Sequence, residues 1–406
     1  MVKVCVIGGG TAGVGAAEEA AAGGADVTVI DRLPSPNPPW STWPDLIRPS
    51  PRGTSPRSRG LRSSAKGLIT EAKLVGPGFL LTSGRHREQF DCVVSATGSS
   101  FEPPTFPGFR KLGAFILNSP RAYADLGRAR GTMAKPVVAG EGWRALEVAD
   151  RLAGPGREVH GFISCWQREG PSSDIFAVIQ EAAQHRGVSL HGGRIDRAVG
   201  TGELEAAVAG GDVVPCDVLA FVPRRIPRVI PTPASLGRTG GLLVDEGMKT
   251  TAPSTYAAGG CAELRATLPP ATLEWEASLS GRIAGASCMG GRHRIGPARF
   301  LEVLLLGLRC SRLEMVGLAA LHTNARTQVS RRWGESSACA ITFERSSRRV
   351  LIVEWVSAAN GRTETPFLEC GASLQALAYG GSGSTDISMV SDTARLGLLN
   401  GQSADM

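Results

Sequence analysis

Two glycine-rich turns carry the clearest chemistry in this sequence. The first, Gly8-Gly9-Gly10-Thr11-Ala12-Gly13, follows an apolar run from Val2 to Ile7 and satisfies G-x-G-x-x-G. Gly8 suits a tight turn, Gly10 lets the backbone come close to a pyrophosphate, and Gly13 lets a following helix pack against the strand. That helix, read from Ala12 to Ala22, aims unpaired N–H groups and the positive end of its dipole at phosphate. A second strand, Val27 to Ile30, ends in Asp31, where a carboxylate can accept from an adenosine ribose hydroxyl. The second turn, Gly140-Glu141-Gly142-Trp143-Arg144-Ala145, is the G-x-G-x-x-A form of the same fingerprint, with a strand from Pro136 before it and a helix to Leu152 after it. Two such units suit two nucleotides, one that stays and one that visits.

Other chemistry is sparse. The nine cysteines are odd in number, scattered and without a C-x-x-C pair, which fits buried thiols in a reducing compartment better than a disulfide framework or a zinc ribbon. The six histidines show no paired ligand spacing, so no metal site is expected. Net charge is +7, yet aromatics are only 5% and most basic residues are dispersed, which argues against nucleic-acid binding. One basic cluster, Arg48 to Arg52 through Arg57, Arg59 and Arg62 to Lys66, reads either as a solvated Pro/Ser/Gly-rich loop or as an anion-attracting rim. The apolar stretch Leu301–Leu308 is too short for a membrane span and contains Glu302. With the first apolar segment serving as a strand rather than a signal peptide, a cytoplasmic location is the simplest expectation.

The elements that position these turns give an α/β class. Phe90 to Ser95 reads as a strand ending in Ala96-Thr97-Gly98, and the punctuation Pro103-Pro104 and Pro107-Gly108 marks a change of domain. The second unit continues through a helix from Ile175 to Arg186 and a strand from Asp217 to Val222. Thr255-Tyr256-Ala257-Ala258-Gly259-Gly260-Cys261 is a strand entering a glycine turn, and Thr272 is placed to cap a helix from Leu273 to Ser287. The tail from Ala298 reads as an α+β module: an apolar stretch Phe300–Leu308, strands Ala338–Phe343 and Arg349–Val356, and a helix at Leu374–Leu377. Its natural role is packing against a second copy of itself.

This order of pieces resembles the two-dinucleotide flavoprotein disulfide reductase family, in particular the branch of NADH oxidases, NADH peroxidases and coenzyme A-disulfide reductases. The resemblance implies two Rossmann-like domains and a C-terminal dimerisation domain: FAD binding at 1–112 and 238–297, NAD(P) binding at 113–237, and a homodimer contact at 298–406. It implies that Gly8, Gly10, Thr11, Ala12, Gly13, Asp31, Arg32, Ala96, Thr97, Gly98, Gly259, Gly260 and Cys261 line FAD, and that Gly140, Gly142 and Ala145 hold NADH or NADPH. Trp143 corresponds to an aromatic that covers the flavin and swings aside, and Glu147 to a carboxylate close to both rings. Their plainer readings are an apolar packing residue and a solvated helix charge.

Three departures shape the expected chemistry. Ser41 falls where relatives carry the redox cysteine, and no cysteine lies between Cys5 and Cys92; a hydroxyl cannot form the required thiolate or mixed disulfide. Gly260 replaces an aspartate that holds the ribityl chain. Glu18 and Glu19 stand on the first helix where coenzyme A-disulfide reductases are basic, and Phe162-Ile163-Ser164, with Arg168 nearby, stands where the second domain would carry an acid. The expectation is an FAD-dependent NAD(P)H oxidoreductase passing electrons directly to oxygen, a quinone or a carrier. The alternatives are a non-catalytic nucleotide-binding partner subunit, and a coenzyme A-disulfide reductase-like or sulfide-quinone reductase-like enzyme; the last needs paired cysteines near the flavin, for which Cys165 and Cys339 are the candidates, with nothing in the sequence bringing them together.

Overall fold

The computed structural model of the chain describes residues 1–31, 47, 71–75, 78–83, 86–163, 173–264, 274–292, 294, 298–315, 326–333, 337–344 and 350–358. Arg32, Ser41, the basic cluster Arg48–Lys66, Cys165, Arg168, Thr272 and Leu374–Leu377 lie outside the described residues, as does the side chain of Cys339. The chain forms two compact units. One takes in the N-terminal strand–helix–strand, the stretch ending at Glu102, and Arg225–Gly296; the other takes in Pro103–Arg224 and the strands after Pro297.

In the first unit, four parallel strands lie in the order Thr255–Ala257, Cys92–Ser95, Lys3–Ile7, Asp26–Ile30. Val4, Cys5, Val6 and Ile7 are all buried, the continuous apolar run that a parallel sheet covered on both faces requires. Register aligns the strand ends. Ile7 pairs with both Ile30 and Ser95, and Ser95 pairs with Ala257. All four strands therefore stop at one edge, and Gly8, Asp31, Ala96 and Ala258 leave it side by side.

The helix Thr11–Ala22 is made of alanine, glycine and a few larger residues, and it buries Ala12, Gly13, Gly15, Ala16, Ala17 and Ala20. The helix Glu274–Cys288 locks against it. A methyl added to Gly281 would sit 2.0 Å from the Ala12 carbonyl oxygen, and one added to Gly285 would sit 2.3 Å from that of Ala16. Only glycine lets the two backbones come so close. Arg282 stays on the outer side, paired with Glu19 at 3.3 Å.

In the second unit, five parallel strands lie in the order Val188–His191, Val159–Ile163, Pro136–Gly140, Val218–Val222, Ala114–Ile116. The helices Gly142–Leu152 and Ser173–His185 belong to this unit. Phe106 meets Phe221 edge to face at 5.3 Å in a core shared with Phe162, Ile195 and Leu204. Three antiparallel strands between Arg197 and Pro215 form an inserted sheet that the sequence reading passed over.

The described part of the tail is an antiparallel sheet in the order Ala298–Leu305, Leu308–Met315, Val350–Ala358, Ser337–Glu344, Arg326–Trp333. The apolar stretch Phe300–Leu308 is not one element. It is broken by a two-residue turn at Leu306 and Gly307, with φ of 55° and 76°, the double left-handed conformation of a tight hairpin. On the inner strands, Arg312 and Glu354 form an ion pair at 3.1 Å with side chains 16% and 5% exposed, so neither charge is buried alone.

Candidate nucleotide sites

At the first turn, Gly8 adopts φ 109° and its N–H donates to the Ile30 carbonyl at 2.8 Å. A methyl on Gly8 would lie 2.2 Å from the Ala96 carbonyl oxygen, and one on Gly13 would lie 1.8 Å from that of Gly8. The turn is thus clamped between strand end and helix. Gly10 differs: a methyl there would meet nothing within 4 Å. Gly10 is also the residue that starts the helix, and no side chain caps the N–H groups behind it. Open space in front of uncapped, aligned N–H groups is what a pyrophosphate needs. Asp31 accepts a hydrogen bond from the Gly9 N–H, which fixes its carboxylate against the same turn.

The second wall of this site comes from the Ala96–Gly98 and Gly259–Cys261 turns. The Thr97 hydroxyl donates to the Arg228 carbonyl, and the Arg228 N–H donates to the Gly98 carbonyl at 3.0 Å. Gly259 takes φ 71°, its N–H donates to Ser280 Oγ at 3.0 Å, and a methyl on it would meet the Ala12 Cβ at 2.8 Å. The structure therefore brings Gly8, Gly10, Thr11, Ala12, Gly13, Asp31, Ala96, Thr97, Gly98, Gly259, Gly260 and Cys261 to one end of one sheet. Cys261 is fully buried, and its thiol donates to the carbonyls of Ser95 at 3.2 Å and Ala258 at 3.3 Å. It behaves as a packed, hydrogen-bonded thiol.

Beside Gly260 stands a residue that the sequence reading did not single out. Arg225 Nη2 lies 3.0 Å from where a methyl on Gly260 would sit, and its Nε donates to Ser99 Oγ at 2.7 Å. The strand pair Ser99–Phe101 and Arg225–Pro227 delivers it there. Where the resemblance calls for a carboxylate, this chain presents a half-buried guanidinium next to bare backbone.

At the second turn, Gly140 has φ 157° and a methyl on it would lie 2.5 Å from the Val222 carbonyl oxygen; Gly142 has φ 69°. Ala145, at the third fingerprint position, is fully buried. Glu141 precedes the helix without capping it and faces Arg194 at 3.5 Å. Trp143, the second residue of the helix, is half-buried.

Glu147 is not a solvated helix charge. Its side chain is 21% exposed, 2.8 Å from Arg144 and 3.9 Å from Arg151, which are 10% and 11% exposed. These partners sit at i−3 and i+4 on one helix face, so the spacing was available in the sequence. The same pair acts on Tyr123, whose hydroxyl burial pushes well above the ordinary phenol range, with Arg144 pulling it down and Glu147 up. Among the described residues, no group of three or more His, Cys, Asp or Glu could hold a metal ion, and no helix is long and apolar enough to cross a membrane.

Known proteins bear out the fold. A nitric oxide reductase FlRd-NAD(+) reductase from Aeromonas salmonicida is 31% identical over 187 residues, 44% of this chain and 47% of the relative. The chain thus spans about half, or less, of the length of the curated relatives it matches. Among solved structures, a NAD-dependent persulfide reductase from A. fulgidus superposes with TM-score 0.77 at 19% identity, over 98% of this chain and 83% of that one. A ferredoxin reductase from Rhodopseudomonas palustris does so with TM-score 0.72 at 18% identity, over 96% and 99%. The sequence pattern of the pyridine nucleotide-disulphide oxidoreductases matches residues 2–278, across both glycine turns, and the chain belongs to that family.

Proposed function

We propose that this chain is an FAD-dependent NAD(P)H oxidoreductase that hands electrons from flavin to a carrier protein without a redox thiol. The observation that carries the reading is the pairing of two glycine turns, each opening at the edge of its own parallel sheet, with a first site whose one described thiol, Cys261, is sealed into the backbone. The 31% identical relative, named as a FlRd-NAD(+) reductase, supports a protein acceptor over oxygen or a quinone.

The residues present fit FAD. Bound there, it would supply the two-electron acceptor ring, and the nicotinamide would supply hydride. The Gly8–Gly13 turn and its helix N-terminus bind the pyrophosphate, and the open side of Gly10 leaves room for it. Asp31, oriented by the Gly9 N–H, accepts from the adenosine ribose. Arg225, oriented by Ser99, takes over the position left by Gly260 as a donor in place of an acceptor. In the second unit the Gly140–Ala145 turn binds NAD(P)H. Arg144 and Arg151 hold Glu147 in place from either side on one helix face, and Trp143 offers its indole at the same helix start. The tail sheet is proposed as the contact surface of a homodimer.

The absorbance spectrum tests this. A yellow protein, bleached by NADH or NADPH under argon and re-oxidised faster by a ferredoxin-type carrier than by oxygen or a quinone, is the expected result. A colourless protein that takes up no added FAD would overturn it. Gly260 favours one other reading, a non-catalytic partner subunit. That reading requires nucleotide to raise the melting temperature with no turnover on any acceptor.

A further inference from the structure

Resting on that oxidoreductase reading, we propose that the second site selects the 2′-phosphorylated coenzyme, NADPH, and that Arg194 is the residue that makes the selection. In a Rossmann unit the coenzyme's 2′ position is met at the end of the second strand, by an acid for a free hydroxyl or by a nearby arginine for a phosphate. Here that strand, Val159–Ile163, ends in Phe162 and Ile163, both buried and neither a carboxylate.

Among the described residues, charge at the mouth comes from the next strand. Arg194, in the turn after the neighbouring strand Val188–His191, reaches back over the glycine turn to Glu141, with Nη2 3.5 Å from Oε1. Its side chain is 78% exposed. Next to it, His191 is the register partner of Phe162 and stacks on that ring at 4.8 Å, with Nε2 2.9 Å from His160 Nδ1. Burial first and His160 second hold His191 below the usual imidazole range, with Asp212 pulling the other way. Glu141 and Arg194 are the ion pair beside the glycine turn itself, while Asp212 and Glu158 act on the histidines behind it.

An exposed pair of this kind is worth little, so Arg194 is readily exchanged from a carboxylate to a phosphate dianion, which its planar fork grips better. Glu141 then has a second effect. Once Arg194 is removed, its carboxylate stands uncompensated and repels the phosphate while still able to accept from a free ribose hydroxyl. The preference should invert rather than merely fade.

Calorimetry on the full-length flavin-loaded protein tests this with four probes: NADPH, NADH, adenosine 2′,5′-bisphosphate and 5′-AMP. Wild type should bind each 2′-phosphorylated member about tenfold more tightly than its partner, with the stronger salt dependence. Arg194→Ala should weaken NADPH at least about tenfold and leave NADH the tighter ligand, and Glu141→Gln should strengthen NADPH. Wild type binding NADH as tightly as NADPH, or Arg194→Ala weakening both equally, would overturn the assignment while leaving the oxidoreductase reading intact. Failure of all four probes to bind would overturn both.

Discussion

The two glycine turns share a plan and differ in how much room they leave. In the first, the third fingerprint position must be glycine because any Cβ on Gly13 would run into the Gly8 carbonyl; in the second, Ala145 occupies the same position, fully buried and unstrained. The first helix is short-side-chained, carries no acid in its first turn and no base in its last, and is locked by Gly281 and Gly285. The second is amphipathic and carries the Arg144–Glu147–Arg151 cluster. The first turn holds its acid internally, Asp31 on the Gly9 N–H, whereas the second displays its charge on an exposed rim, Glu141 with Arg194. A tightly packed cradle has little freedom left to lose on binding and suits a ligand that stays. A rim pair that must part suits one that comes and goes.

The largest effect should come from removing the one space difference. Gly13→Ala is expected to destabilise the protein by about 3 kcal/mol through overpacking, read as a drop in melting temperature, while Ala145→Gly should change stability by no more than about 1 kcal/mol. Equal melting of the two variants would break the contrast. Next comes the internal acid. Asp31→Ala should weaken FAD by roughly ten- to a hundredfold in a fluorescence titration of apoprotein, the loss of one charge-assisted hydrogen bond, with Glu141→Ala leaving FAD affinity where it was.

Gly260→Asp sharpens the first site further. Its Cβ would meet only the flexible end of Arg225, the Ser99 hydroxyl and the Gly98 backbone, all at 3.0 Å or more, so an aspartate fits there; FAD affinity should rise about tenfold. The smallest effect concerns His191. Because its folded-state pKa is lowered from 6.5, the unfolded chain takes up the proton first, and stability falls as pH drops below 6.5 through the folded value. Discounted for solvent screening, the change is less than about 0.5 kcal/mol, and His191→Gln should flatten that part of a stability–pH curve.

Much of the first site was legible because its signals are local. Strand, glycine turn, helix and Asp31 succeed one another within thirty-one residues, and the period of each element is visible in the chain. The Ala96–Gly98 and Gly259–Cys261 turns were found through the resemblance, and the shared strand register explains why they belong with the first. Arg225 closes the stretch Asp217–Arg225 that carries part of the resemblance and Arg194 stands in an unmarked turn, but nothing in the sequence gives either a role. Arg225 meets Ser99 across 126 positions, and only the strand pairing brings them together. The Leu306-Gly307 hairpin hid inside an apolar run, since a leucine at positive φ is uncommon and composition cannot separate one buried strand from two. Glu147 is a different case: the resemblance named it, while its i−3 and i+4 arginines, visible in the sequence, gave the ion-paired environment that neither a ring contact nor a solvated charge describes.

The interlock of Gly281 and Gly285 with Ala12 and Ala16 also sets an order of events on the ribosome. Glu19 and Arg282, which meet across that contact, are 263 positions apart. At elongation rates of roughly 5–20 residues per second, the N-terminal helix waits on the order of 10–50 s for its mate. Throughout that interval the nascent chain has its phosphate-binding turn but no lock behind it, while everything from Pro103 to Arg224 has emerged and can collapse on its own. Closure of the flavin cradle is therefore a late step of chain synthesis, gated by the arrival of two glycines.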